Sequence, residues 1–124
     1  MPGCTACGLL LVSDISNPTH LAPSDSFARQ HVAKSALEDA YAAAQQRVHQ
    51  LQHHPEAWGY ASCTVECIET HISWLLLVGG HVYKFKMPLA LDFLDFSTAA
   101  LRLAACQEEL RINRRTAPHM YLDV

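Results

Sequence analysis

The sequence predicts an α+β fold in one domain, a small antiparallel sheet of three strands with helices packed on it. Three observations carry that expectation. Trp74 to Val78 is an unbroken apolar run of strand length, followed by Gly79-Gly80 and a second β-rich run from His81 to Lys86. Two glycines between such runs signal a hairpin, because the tight primed turns need positive φ. Long stretches on either side repeat apolar residues at steps of three and four, the period of amphipathic helices. With 124 residues, the chain is too short for two ordinary domains.

Taken in order, residues 1–24 read as a loose leader, broken by Pro2, Gly3, Gly8, Pro18 and Pro23. Ser24 to His53 reads as helix, with Ser24 or Asp25 as its N-cap. Its apolar face is Phe27, Val32, Ala36, Leu37, Ala40, Tyr41, Ala44, Val48 and Leu51, and Pro55 and Gly59 end it. A packing role for this helix outweighs a docking role on a partner. Cys63 to Ile68 is the first strand candidate, and the hairpin supplies two more. Met87 to Phe96 is a loop too apolar to be a free linker. Ser97 or Asp95 then caps a helix from Thr98 to Arg115, which Ala117-Pro118 breaks. Met120 to Val124 begins another extended segment.

Composition excludes several functions. Half the residues are apolar and 17% are charged, which rules out wholesale disorder. A net charge of −3 leaves no electrostatic footprint for nucleic acid or an anionic membrane. No apolar run reaches the roughly 18 residues of a membrane span, and no secretory signal is evident. The cytoplasm is therefore the expected compartment. The five cysteines, Cys4, Cys7, Cys63, Cys67 and Cys106, form a poor disulfide framework and are expected to be free thiols. A small zinc module is a rival reading, on Cys4-x-x-Cys7, the Cys63/Cys67 pair and the His49/His53 pair. Against it, zinc needs four converging ligands and there is no second C-x-x-C.

The return strand holds the chemistry. Side chains alternate across a strand, so Val82, Lys84 and Lys86 share one face, and Tyr83 and Phe85 share the other. A helix carrying Glu108 and Glu109 follows about twenty residues later. A strand lysine with a helix glutamate, after a hairpin, is how a kinase holds a lysine on the nucleotide α/β-phosphates. The ammonium needs a neighbouring anion to be positioned and kept charged at a partly buried site. The bland alternative is a solvated strand lysine and two surface glutamates.

Longer stretches add to this. They are Ile68-Glu69-Thr70-His71-Ile72-Ser73-Trp74, Gly80 to Pro88, Phe93-Leu94-Asp95-Phe96-Ser97-Thr98 and Glu108 to Arg115, with Ala117-Pro118 and Tyr121-Leu122. In this order they resemble the N-terminal lobe of aminoglycoside phosphotransferase-like kinases. The branch they look most like is one in which that domain is often fused to a P-loop ATPase domain. The resemblance covers about residues 55–124 and leaves 25–54 as an unassigned helical extension. It implies an incomplete kinase-like N-lobe, ATP with Mg as cofactor, and phosphoryl transfer to a small-molecule hydroxyl whose identity it does not give.

On this sequence the resemblance implies that Glu69 to Ser73 covers the phosphates, through Ser73 and backbone N–H groups rather than glycines. It makes Lys84 the phosphate lysine, because Val82, two residues earlier, then faces the adenine. Of the two glutamates, a strip of Leu101, Ala105, Glu108 and Ile112 favours Glu108, and Glu109 lies on its rim. Both stay open. The catalytic Asp and metal-binding Asp belong to a C-lobe beyond Val124, so no catalytic residue is assigned and no transferase activity is expected of these residues alone. An uncovered sheet edge is expected to favour self-association or pairing with another chain.

Overall fold

The structure, a computed structural model, describes residues 8–12, 26–60 and 62–124. Its elements are β1 (Gly8–Val12), α1 (Ser26–His53), a 3-10 turn (Pro55–Trp58), β2 (Glu66–Glu69), β3 (Ser73–Val78), β4 (His81–Lys86), β5 (Ala90–Leu91), β6 (Leu94–Asp95), α2 (Ala99–Asn113) and β7 (Tyr121–Asp123). The fold is mixed α and β. β2, β3 and β4 form the antiparallel meander that the hairpin signal predicts, and two helices accompany it.

The β3–β4 turn works as its glycines require. Gly79 and Gly80 have φ of 55° and 88°, in the left-handed region that favours glycine. A Cβ on Gly79 would also lie 2.5 Å from the Tyr60 hydroxyl oxygen. The turn fixes the register, setting Trp74 opposite Phe85 and Leu75 opposite Lys84. Alternation then sorts the two faces. Trp74, Leu76, Val78, Tyr83 and Phe85 go to one, and Ser73, Leu75, Val82, Lys84 and Lys86 to the other.

The first face is the core, and α1 covers it. Val48 is buried with Val65, Trp74, Leu76, Val78, Phe85 and Met87. Tyr41, Ala44 and Leu51 pack around them, with the Tyr41 and Trp74 rings 5.3 Å apart. The Trp58 indole donates to the Leu51 carbonyl at 2.9 Å and lies 4.2 Å from the Tyr83 ring. This ties the C-terminal end of α1 to the sheet. The helix therefore packs on its own chain's sheet, as expected. The contacts described come from Tyr41 to Leu51, and Ala36 is exposed. A helix of 28 residues spans about 42 Å, roughly twice a six-residue strand. The expected caps Ser24 and Asp25 lie outside the described residues.

The other elements differ from the sequence reading in instructive ways. Gly8–Val12, expected to be part of a loose leader, is a strand. β1 runs parallel to β4 on one side and to β7 on the other, in a five-stranded sheet of order β2-β3-β4-β1-β7. The outer N–H and C=O groups of β4 need partners, and the run Leu9 to Val12 has the composition to supply them. The outer side of β4 is thus covered, and the sheet's edges are β2 and β7. The Met87–Phe96 loop contains the β5–β6 hairpin, with Met87 and Phe96 buried and Phe93 at its tip 84% exposed. Among the described residues no helix is long and apolar enough to cross a membrane.

Val48→Ala should lower unfolding stability by about 2 kcal/mol, because it empties the contact between α1 and the sheet. Ala42→Ser, on the exposed side of α1, should leave the urea midpoint within about 0.5 kcal/mol of the parent. Equal effects of the two changes would show that α1 does not share the core.

Candidate functional site

The face opposite α1 carries the polar chemistry. β4 presents Lys84 and Lys86 there, two positions apart and so on the same side. α2 brings a glutamate to them, and the geometry selects Glu109. The Lys84 ammonium donates to Glu109 Oε1 at 2.7 Å, and the Lys86 ammonium to Glu109 Oε2 at 2.8 Å. One carboxylate bridges both lysines with its two oxygens. Glu108, which the expected strip favoured, points to solvent and pairs with Arg111 at 2.6 and 2.7 Å.

The correction has a clear cause. The buried positions of α2 are Arg102 and Cys106, followed by half-buried Glu109, while Leu101 and Ile112 are exposed. The inward face is rotated from the apolar strip because polar bonds orient the helix. The Arg102 guanidinium donates to the buried Phe96 carbonyl at 2.7 Å. Glu109 meets the lysines. The N-cap is Thr98, whose hydroxyl accepts from Leu101 N–H at 3.2 Å. Asp95, an expected cap, instead accepts from the Ser97 backbone N–H at 2.9 Å.

The two lysines have different surroundings. Lys86 has a side chain only 5% exposed, and its ammonium lies 5.0 Å from the centre of the Phe96 ring, within cation–π range. Lys84 is 22% exposed and keeps a path to a ligand. Burial works against a charge on Glu109, but the hydrogen bonds from Lys84 and Lys86 outweigh it and hold the carboxyl below its ordinary value. Burial pushes the Cys106 thiol up, so it is neutral, beside Lys86, Glu109, Lys84 and Arg102. Two ammonium groups share one carboxylate, and no second described carboxylate pairs with either lysine. Among the described residues the cluster holds two ammonium groups to one carboxylate, a balance that suits an anion.

Ser73 lies opposite Lys86 in the register and is 1% exposed. Its hydroxyl has no described hydrogen-bond partner. The backbone of the expected phosphate loop is engaged in its own turn. Thr70 Oγ1 accepts from the Ser73 N–H at 3.0 Å, and the Thr70 N–H donates to the Ser73 carbonyl at 2.9 Å. In this conformation those N–H groups are not offered to a ligand. Val82 is half-buried on the lysine face, with Leu9 of β1 beside it in register and Leu77 on the other side. A cleft of about 520 Å³ lined by Tyr41, Glu69, Thr70, His71, Met87 and Leu89 opens on the α1 side of the sheet, away from the lysines.

Among the described residues no three His, Cys, Asp or Glu side chains come together as metal ligands. Cys63, Cys67 and Cys106 are in no disulfide. His49 and His53 stack on each other at 4.1 Å. Cys4 and Cys7 lie outside the described residues.

No protein-family model matches the chain, and no solved structure matches it. Uncharacterised proteins of Mycobacterium tuberculosis and Mycobacterium bovis are 38% identical to it over 60 residues, which is 48% of this chain. The chain spans only 12% of the length of these relatives, and their names state no activity.

The lowered Glu109 carboxyl makes stability depend on pH. Its ionised form stabilises the fold at pH values above the unfolded value of about 4.5, and that contribution is lost as pH falls through the lower folded value. Glu109→Gln should cost about 2 kcal/mol at pH 7 and flatten the stability profile below pH 4.5. Glu108→Gln should leave the unfolding midpoint at pH 7 unchanged. Denaturation curves across pH for the three proteins check this, and an acid profile identical in Glu109→Gln and the parent would contradict the bridge.

Proposed function

We propose that this chain is the nucleotide-binding half of an ATP-dependent small-molecule phosphotransferase, with the fold of a kinase-like N-lobe. The observation that carries the reading is Glu109 on α2 held against Lys84 on β4, after a tight hairpin. This is the strand-lysine and helix-glutamate pair that a kinase uses on the nucleotide phosphates. The resemblance of residues 55–124 to aminoglycoside phosphotransferase-like kinases supports it.

In this reading the Lys84 ammonium binds the α/β-phosphates, and Glu109 holds it in place and charged. Val82 lies on the same face and meets the adenine. The Ser73 hydroxyl, buried and without a described partner, supplies a neutral donor beside the lysines. The two ammonium groups of the cluster, with one carboxylate between them, fit a phosphate chain. Glu109 is already shared by two lysines, so on this face the described residues would hold a Mg·nucleotide through its phosphates, and Mg²⁺ would supply charge neutralisation there. The general base and the acceptor pocket are not assigned to any residue of this chain.

A non-catalytic interaction module is the second reading. It is favoured by the exposed apolar side chains of Leu101 and Ile112, which lie about three turns apart on one face of α2.

Calorimetry with Mg·ATP separates the two. The phosphotransferase reading expects binding that Lys84→Ala weakens about a hundredfold, the loss of a charge-assisted contact of about 3 kcal/mol. Lys86→Ala should weaken it less. Absent binding, or equal affinity in the parent and Lys84→Ala, would remove the nucleotide reading and leave the interaction module.

A further inference from the structure

The second lysine has no part in that reading, yet it is the more deeply held of the two. Its side chain is 5% exposed, its ammonium sits over the Phe96 ring, and its hydrogen bond to Glu109 is as short as that of Lys84 to within 0.1 Å. The Phe96 main chain is fixed at both ends of its peptide groups. Its N–H donates to the Leu89 carbonyl at 2.7 Å, and its carbonyl accepts from the Arg102 guanidinium at 2.7 Å. Lys86 is thus braced by the segment before α2, while Glu109 and Arg102 come from α2 itself. Among the described residues nothing comparable braces Lys84.

From this asymmetry we infer that Lys86 is a positioning residue, which keeps Glu109 and α2 against the sheet so that Lys84 is free to turn to a phosphate chain. A single lysine–glutamate pair faces a conflict. When the lysine moves to its ligand, the carboxylate loses its partner and the helix loses its tie. Here the ammonium of Lys86 retains Oε2 while Lys84 shares Oε1 with the ligand. The lysine–glutamate pair is therefore assembled before any ligand arrives, and the ligand need not order α2 on binding. The inference rests on the phosphate-binding reading of this site, but not on recognition of adenosine.

Among the described residues the titratable groups around Glu109 are Lys84 and Lys86 from β4 and Cys106 from α2. Only Glu109 among them changes charge on mild acidification; the ligand phosphates protonate alike with every variant, so a difference in the acid limb between variants reports on Glu109. The test uses the full chain, as parent, Lys86→Met and Lys86→Arg, with Mg·ATP and with inorganic tripolyphosphate as separate probes in calorimetry across pH. Lys86→Met should raise both dissociation constants about tenfold, and Lys86→Arg should stay within about threefold of the parent, because a guanidinium still reaches the carboxylate. The acid limb should move towards neutral pH in Lys86→Met and stay in place in Lys86→Arg, a displacement that a purely packing role would not cause. If Lys86→Met does not fold, Lys86→Gln takes its place in the same comparison. Equal affinities and equal acid limbs in the Met and Arg variants would overturn the inference. Tripolyphosphate binding with the expected Lys86 dependence, but no ATP binding, would sink the nucleotide reading and leave the positioning role standing. Binding of neither probe would end both.

Discussion

One carboxylate shared by two ammonium groups holds the polar half of this molecule together. Glu109 joins α2 to β4, and without it two lysines would face each other on neighbouring positions of one strand face. Like charges so placed repel, and Lys86, nearly out of solvent, would lose its anionic partner. The rotation of α2 about its own axis follows from this contact. So does the exposure of Leu101 and Ile112, which the helix leaves outside in order to bring Arg102, Cys106 and Glu109 inward. Polar bonds chose the buried face, and the apolar residues accepted what remained.

The two faces of the sheet divide the labour. α1 supplies the hydrophobic stabilisation on one side, where Val48, Trp74, Leu76 and Phe85 exclude water. That cover lets the opposite face be polar, because a sheet needs only one apolar face to be stable. The hairpin at Gly79-Gly80 is the hinge of the scheme. A slip of one residue in its register would move the lysines into the core and Tyr83 and Phe85 out of it.

Local chemistry was legible in the sequence, and long-range pairing was not. The glycine turn, the apolar run of β3, the alternation of β4 and the packing face of α1 around Tyr41, Ala44 and Val48 all depend on neighbours within a few residues. The choice between Glu108 and Glu109 depended on what stood opposite α2, and adjacent glutamates look alike in sequence. Arg102 was the available signal. An arginine four residues before Cys106 and seven before Glu109 reads as surface unless a partner is known, and here one partner is the Phe96 carbonyl on the preceding loop. β1 was invisible for the same reason. Leu9 to Val12 is too short and too closely surrounded by proline, glycine and polar residues to announce a strand, and its partners lie far along the chain. Alternation alone made it readable that Val82, Lys84 and Lys86 share a face, and which glutamate meets them was not readable.

The placement of β1 divides the sheet by the cost of forming it. β2, β3 and β4 close through short turns and lose little chain entropy in doing so. β1 reaches β4 and β7 only after the chain has looped across most of its length, with Leu9 beside Val82 and Tyr121. Pairings of that separation form late and raise contact order. The meander and α1 thus make a local unit, and β1 and β7 join it as a parallel pair of strands. Amide exchange would see two tiers in one sheet, and the boundary between them runs along β4, the strand that carries both lysines.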